Sequence, residues 1–461
     1  MNNWKTIILG DHIDVLTDYH ANGAYSKLKE NIELKYEEDY AIMIRTLNLE
    51  SKDFDNKLIY LNEREYNYLD KSKVYPYDII MNKIANPGTV YLMPKLNKPV
   101  SLAMNLFLIR FKDTIDQVFV FHLMKMNEDY IKRFANGTTT KSITKDAVRA
   151  LKFRVPNLST QKQIAKVLSD LDAKIEVNNK INQELEAMAK TLYDYWFVQF
   201  EFPTSEAQAK QIGNLSLVGK PYKSSGSKMV FNTELKREIP EGWEDGTILD
   251  CADLLGGGTP KKEISKYWNG EIPFFTPTDT ENNVFCLKTI LYTNELGISK
   301  SSTKLFDKGT ILITARGTVG KINIAGKPMA MNQSCYALKP KTDFSSEFIY
   351  FHTDQIVKYL KAKSSGSIFK AIVTNDFKFT PTVVPDTDIV KSYSKNTNSM
   401  FEMILNNKLQ NQKLTELRDW LLPMLMNGQA TVGSPVEKRD IGEVEQELGM
   451  VAEDSEKYGK V

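Results

Sequence analysis

Cysteine and histidine are scarce in this chain, and no stretch of it stays apolar for long. Its three cysteines, Cys251, Cys286 and Cys335, stand apart without a CxxC pair, and its four histidines are scattered. That spacing argues against a disulfide framework, a zinc site or a histidine-based catalytic cluster, and it suits a reducing cytoplasm. No segment approaches the ~18 uninterrupted apolar residues of a membrane helix, so no membrane partner is expected. The opening Met1-Asn2-Asn3-Trp4-Lys5 lacks the basic-then-apolar order of a secretory signal. A strong charge of either sign is missing too: 60 Lys and Arg face 58 Asp and Glu, a net charge of +2. A chain that grips a duplex alone usually carries a clear basic excess. If nucleic acid is the partner, either the basic side chains gather on one face or another protein supplies much of the phosphate contact.

The marks of catalysis are equally absent. There is no GxxxxGK[ST] loop for a nucleotide, and Gly256-Gly257-Gly258-Thr259-Pro260 reads as a turn rather than a phosphate cradle. The Asn/Asp-Pro-Pro-Tyr/Phe motif with which adenine methyltransferases hold a flipped base does not occur. Glu33-Leu34-Lys35 fits a nuclease-like spacing, but in a chain with 26% charged residues such a triplet arises by chance. No catalytic residue and no metal ligand is assigned. The reading is recognition rather than chemistry.

What the chain does contain is a repeat. Asn86-Pro87-Gly88-Thr89-Val90 is echoed by Ala315-Arg316-Gly317-Thr318-Val319, which places Gly88 on Gly317, 229 residues later. Lys98-Pro99 returns as Lys327-Pro328 and Val155-Pro156 as Val384-Pro385, both displaced by 229. Gly137 maps to Gly366 at 229, Ala103-Met104-Asn105 to Ala330-Met331-Asn332 at 227, and Asn178-Asn179-Lys180 to Asn406-Asn407-Lys408 at 228. Trp4 pairs with Trp243 at 239, so insertions separate the copies near the start. Each half begins with a turn-rich, strand-rich region, as in Tyr40–Ile44 and Gly309–Thr314, and ends after Val-Pro in a long helix.

The first helix is expected from Thr160 to Phe197, capped by Ser159 or Thr160. Its apolar positions Ile164, Val167, Leu168, Leu171, Ile175, Ile181, Leu185, Met188, Leu192 and Tyr195 recur at threes and fours, as in a coiled-coil seam. Asn178 interrupts that seam, and a lone interior Asn commonly fixes register at some cost in stability. The second helix, Asp388 to Leu425, offers Tyr393, Met400, Phe401, Ile404, Leu405, Leu414, Leu417 and Leu421, with Asn406-Asn407 as its matching polar position. Helices of this size, on the order of 55 Å long, would lie antiparallel and act as a spacer. The fold class is therefore α+β, two related α/β halves joined by two long antiparallel coiled-coil helices. The expected boundaries are 1–158, helix 159–203, linker 204–237, 238–386, helix 387–428 and a loose acidic tail 429–461. The linker, with Lys220-Pro221-Tyr222-Lys223-Ser224-Ser225-Gly226-Ser227-Lys228, reads as an exposed connection.

At this point the residues resemble the specificity subunits of type I restriction-modification enzymes. The resemblance rests on Gln161-Lys162-Gln163-Ile164-Ala165, Leu171-Asp172-Ala173-Lys174-Ile175 and Asn178-Asn179-Lys180-Ile181-Asn182, closing with Trp196-Phe197 and Phe202-Pro203. It continues in Lys236-Arg237-Glu238-Ile239-Pro240-Glu241-Gly242-Trp243 and in Ala315-Arg316-Gly317-Thr318-Val319-Gly320 with Met331-Asn332-Gln333. It implies that each half is a target recognition domain for one half of an asymmetric, bipartite site in double-stranded DNA. The helices would set the gap and dock two methyltransferase (M) subunits, with translocase and nuclease (R) subunits joining them. S-adenosylmethionine, ATP and Mg2+ would belong to those partners and none to this chain. The first half departs from the pattern, carrying Ala85-Asn86-Pro87-Gly88 where the second has Arg316, and Tyr91 in place of Gly320.

For base contacts the candidates are Arg45, Asn48, Asn86, Thr138, Thr139 and Lys141 in the first half, and Thr278, Arg316, Gln333, Ser367 and Lys370 in the second. Arg pairs bidentately with guanine, and Asn or Gln with adenine. For helix pairing they are Leu171, Ile175, Asn178, Ile181, Leu185, Ile404, Asn407 and Leu414. Two rival readings remain. A chain fusing recognition with methylation or cleavage would be active without partners. A coiled-coil scaffold with two protein-binding modules would show no salt-sensitive, sequence-selective DNA binding.

Overall fold

The computed structural model describes residues 4–138, 140–281, 283–363 and 371–432. They divide into two compact units, one made of residues up to 173 with 415 onward, the other of 174–414.

In the first unit an antiparallel sheet runs in the order Ile13–Asp18, Leu106–Phe111, Ile79–Asn82, Val90–Leu92. Its central strands are apolar without alternation because both faces are covered. Ile79, Met81, Phe107 and Ile109 enter one core with helix Gln117–Met126, while Ile80, Leu106 and Leu108 enter another on the opposite face. A second sheet orders Ile59–Leu61, Ala41–Ile44, Val100–Leu102 and Lys73–Val74, with the middle pair parallel.

The unit 174–414 repeats this plan. Its main sheet is Ala252–Gly256, Cys335–Pro340, Ile311–Thr314, Ile322–Ala325 and Phe285–Cys286, and a smaller one pairs Ile272–Phe275 in parallel with Ala330–Met331. Again neighbouring residues part company: Ile311 and Ile313 pack with helix Ser346–Lys363, and Leu312 packs on the other face.

The registers correct the repeat alignment. Ile79 pairs with Leu92 as Ile311 pairs with Ile324, which displaces this hairpin by 232. The Gly88 amide donates to Asn82 O as the Gly320 amide donates to Thr314 O. Both glycines lie against a helical segment, where a Cβ would stand 2.9 Å from Ile131 and 2.6 Å from Val357. Gly88 therefore answers Gly320 rather than Gly317, and Ala85, at φ +69°, answers Gly317 at +81°. The sequence match was drawn by the shared Gly-Thr-Val letters, which sit three residues out of step with the hydrogen bonds.

The long helices run from Leu158 to Tyr193 and from Thr387 to Met426. The start of the first is capped by Asn157, whose Oδ1 accepts the Thr160 amide at 2.9 Å, and not by Ser159 or Thr160. It ends four residues early in a π-helical turn, Asp194–Val198, which buries Trp196 and Phe197. Asp386 caps the second through the Asp388 amide at 2.8 Å.

The segment 204–237 is mostly exposed, as a connection would be, but it is folded and anchored rather than loose. It holds helix Glu206–Ile212 and strand Met229–Asn232, and Tyr222 is buried with its ring stacked on Phe202 at 4.6 Å, with Trp243 on Phe202 at 5.1 Å. One buried aromatic anchors a stretch whose composition alone reads as solvated.

All three cysteines are buried, and burial pushes each thiol up to about 12. No described helix is long and apolar enough to cross a membrane.

Each unit also buries one histidine, His122 at 6% and His352 at 3% exposure, and burial pulls both down to about 4. The His352 ring is held between Tyr193 Oη at 2.9 Å and Thr382 Oγ1 at 3.2 Å, an arrangement suited to the neutral ring. Above pH ~6.5 folded and unfolded chains both carry these rings neutral, so stability does not respond to them. As pH falls from ~6.5 towards 4 the unfolded chain takes up protons that the folded one cannot, and each histidine destabilises by up to ~3 kcal/mol. Thermal midpoints between pH 7 and 4.5 should therefore fall less in His352→Gln than in the parent. An equal fall in both would show that His352 is not the group responsible.

Candidate nucleic-acid interface

In each unit the loops at one end of the main sheet gather into a single surface. In the unit 174–414 this surface begins with Ala315–Gly320, between strands Ile311–Thr314 and Ile322–Ala325. The Thr314 hydroxyl donates to Thr318 O and accepts the Lys321 amide at 3.0 Å, which closes the loop on itself. The Thr318 hydroxyl donates to Pro277 O at 3.1 Å, tying in the turn that presents Thr278. The Arg316 amide donates to Ser334 O at 3.2 Å, which brings in Gln333. The sheet thus brings together Thr278, Arg316 and Gln333, all three exposed. The Arg316 guanidinium has no partner among the described residues, and its backbone is fixed on both sides.

A fourth loop joins them that motif reading passed over. The Thr259 hydroxyl donates to Gln333 Oε1. Its approach depends on Gly257 and Gly258, where a Cβ would fall 2.2 Å from Asn332 O and 2.1 Å from Ser302 Oγ. The run of three glycines was the available signal. Ser367 and Lys370 lie outside the described residues, although Ile372, just beyond them, donates its amide to Ala315 O at 3.0 Å.

The first unit builds the same surface from Asn86 in the loop 83–89 and from the loop 136–142. The two meet through the bridge of Ser142 with Ile84 and the Ile143 amide donating to Lys83 O at 3.0 Å, while a bridge of Asn136 with Ser142 closes the second loop on itself. Asn86, Thr138 and Lys141 are exposed, while Thr139 lies outside the described residues. Lys83 and Lys145 both bind Asp18, at 3.0 and 3.2 Å. Burial raises the Asp18 carboxyl, but these two lysines overcome it and hold it below its usual range. Sequence reading missed this triad because its members lie 65 and 127 residues apart.

Two candidates have other work. Asn48 is 1% exposed, its Oδ1 accepting the Arg45 amide at 3.3 Å and its Nδ2 donating to Asp53 O at 3.3 Å. Asp279 does the same for Thr276 in the other unit, accepting its amide at 2.8 Å. The Arg45 guanidinium donates to Lys57 O. The Asn48 amide is used up in shaping the turn, whereas Arg45 keeps guanidinium donors, its Nε among them, without a partner among the described residues.

Within each unit the long helices run antiparallel. Asn178 is fully buried and donates to Gln410 Oε1 at 2.7 Å and Asn411 Oδ1 at 2.8 Å, not to Asn406 or Asn407. Asn407 instead donates to Asn182 Oδ1 at 2.9 Å. The seam passes from Ile175 through Asn178 and Asn182 to Leu185, which leaves Ile181 outside it at 38% exposure. Met188 and Leu417, expected in the seam, are exposed for the same reason of phase, and Tyr195, also exposed, lies beyond the α-helix in the π-helical turn. Ile404 is buried; Leu171, Ile175, Leu185, Asn407 and Leu414 are partly buried. In the other unit Arg418 meets Asp172 Oδ1 at 2.7 Å.

Residues 1–187 and 240–417 match the family model of the type I restriction modification DNA specificity domain. The specificity subunit of the type I restriction enzyme HindI from Haemophilus influenzae is 30% identical over 352 residues, covering 68% of this chain and 77% of that one. The MjaIX specificity subunit of Methanocaldococcus jannaschii is 25% identical, covering 83% and 86%. Among solved structures, the type I restriction-modification S subunit from M. genitalium matches 92% of this chain and 96% of its own, at 16% identity and a TM-score of 0.55.

Proposed function

Because the chain belongs to the type I restriction-modification DNA specificity family, whose members are non-catalytic specificity subunits, we propose that each unit reads one half of a bipartite, asymmetric DNA site. The observation that carries this is the doubled loop surface: the same strand ends in both units present polar side chains, from different residues in each. Different residues at like positions suit different half-site sequences. The paired helices set the gap. At ~1.5 Å per residue the 36 residues of the first extend ~54 Å, longer than the ~34–36 Å between half-sites one duplex turn apart.

The near-zero net charge fits a chain that shares its phosphate contacts with partners. Val177, Ile181 and Met188 are exposed on the first long helix and Met403 and Leu409 on the second, apolar surface suited to docking two M subunits. R subunits join that assembly in the cytoplasm of a bacterium or archaeon. S-adenosylmethionine, ATP and Mg2+ sit on those partners.

The test is methylation-site sequencing of a host that carries this chain with its neighbouring M subunit, against a host lacking the chain. A new adenine-methylated motif of two half-sites with a fixed gap is expected. Adding one helical turn near Asn178, matched on the opposing helix, should change the gap and leave both half-sites unchanged. No motif, with the M subunit active beside another specificity chain, would point instead to a scaffold.

A further inference from the structure

The unit 174–414 contains one lysine whose surroundings its repeat partner does not share. Lys408, on the second long helix, is only 14% exposed and donates to Glu281 Oε2 at 2.7 Å, to Asn283 Oδ1 at 2.6 Å and to Phe285 O. An ammonium has three protons, and all three have acceptors on one stretch of chain. That stretch is also held from its other side. Asn323, fully buried, donates to Asn283 O at 2.6 Å and to Glu281 O at 3.3 Å, and Phe285 and Cys286 pair in parallel with Ile324 and Ala325. Apolar contacts continue the attachment: the Phe285 ring lies 6.2 Å from that of Phe401, one helical face from Lys408.

The contacts lead on to the candidate interface. Glu281 follows the turn of Pro277 and Thr278, onto which the Thr318 hydroxyl of the Arg316 loop is bonded at 3.1 Å. A short, hydrogen-bonded path therefore connects the spacer helix to the loops that present Thr278 and Arg316. The caps Asn157 and Asp386, and the mirrored bonds of Asn182 to Ile404 O and of Asn411 to Ile175 O, displace the two long helices by 229, so Asn179 stands where Lys408 does and the nearest lysine of the first helix is Lys180. Its ammonium pairs with Glu176 on its own helix at 2.7 Å, with both side chains about two-thirds exposed. An exposed pair one helical turn apart contributes little.

We infer that Lys408 is a positioning residue: it latches the recognition loops of the unit 174–414 to the spacer helix and thereby sharpens the gap that this half-site tolerates, a constraint Lys180 does not exert. The inference rests on the function proposed above. Loop position matters because base readout needs side chains placed to a fraction of an ångström, and an untied loop accommodates neighbouring registers at little cost.

The test uses the full chain as parent, Lys408→Met, Lys408→Arg, Glu281→Gln and Lys180→Met. In the chain alone, amide hydrogen exchange over 283–287 should speed up in Lys408→Met and not in Lys180→Met. With the M subunit, Lys408→Met should raise methylation at sites whose gap differs by one base by about tenfold relative to the parent gap, the factor given by ~1.4 kcal/mol. Lys408→Arg should restore most of the discrimination and Lys180→Met should leave it at the parent value. Should Lys408→Met fold poorly, Glu281→Gln, which alters a partner at the surface, should relax the gap in the same direction. Unchanged exchange, or an unchanged gap distribution in a parent that methylates a bipartite motif, overturns the latch. A parent that methylates no bipartite motif overturns the function instead, and the exchange measurement still judges the attachment.

Discussion

Phe197→Ala should cost the unit 174–414 about 3–5 kcal/mol, the range for truncating a buried phenylalanine. Phe197 is 5% exposed at the end of the first long helix, inside the π-helical turn. Ring centroids of Phe348, Tyr193, Tyr393 and Trp243 lie 4.9, 5.2, 5.3 and 6.0 Å from its own. These rings come from both long helices, from helix Ser346–Lys363 and from the start of the second repeat, so one side chain joins four segments distant in sequence. Alanine would lose the transfer energy of the ring and leave a space that four large neighbours cannot readily fill. With ~2–4 °C per kcal/mol for a unit of this size, the thermal midpoint should fall by roughly 10 °C. Tryptophan emission would follow it, since Trp196, Trp243 and Trp268 all lie in this unit. Phe197→Leu should retain most of the stability. A loss under ~1 kcal/mol for the alanine variant would mean that the aromatic cluster is not the core it is described as.

Arg316→Ala should reduce discrimination at one position of one half-site by roughly 10- to 100-fold, within the ~1–3 kcal/mol of a bidentate base contact. The reason is as much the loop as the side chain. Gly317 and Gly320 take positive φ at 81° and 74°, two hydroxyls close the turn, and Ser334 holds the Arg316 amide. Binding therefore orders little besides the guanidinium itself. Selectivity would be read from binding by the complex with M subunits to duplexes altered one base at a time in each half-site. The thermal midpoint and M binding should not change, because the side chain is exposed. Arg316→Lys should recover phosphate-like attraction without the specificity, since an ammonium lacks the planar fork. Equal losses at both half-sites, or lost assembly, would make Arg316 structural.

The repeat and the long helices were legible in the sequence because they depend on local signals, such as proline before a helix and apolar spacing of three and four. The seam was legible only to within one residue. Ile181 is the more apolar choice, yet Asn182 faces the partner helix, because helical phase and not hydropathy decides which side chain points inward. The Gly88 to Gly320 correspondence was hidden by shared letters in a neighbouring register, and only strand pairing separates the two. Asn48 looked like a base-reading side chain because capping and recognition use the same amide chemistry. The Lys83–Asp18–Lys145 triad and the contacts of Lys408 are products of the tertiary fold, with no pattern along the chain to announce them.

The three cysteines have a practical meaning. A thiol pushed up to about 12 and shielded from solvent is almost never a thiolate at neutral pH, and the thiolate is the species that reacts with maleimides and iodoacetamides. The native chain is in effect silent to such reagents. A single cysteine placed on each loop surface would carry a fluorophore without first removing the natural ones, so the separation of the two surfaces becomes a distance that energy transfer can report in solution.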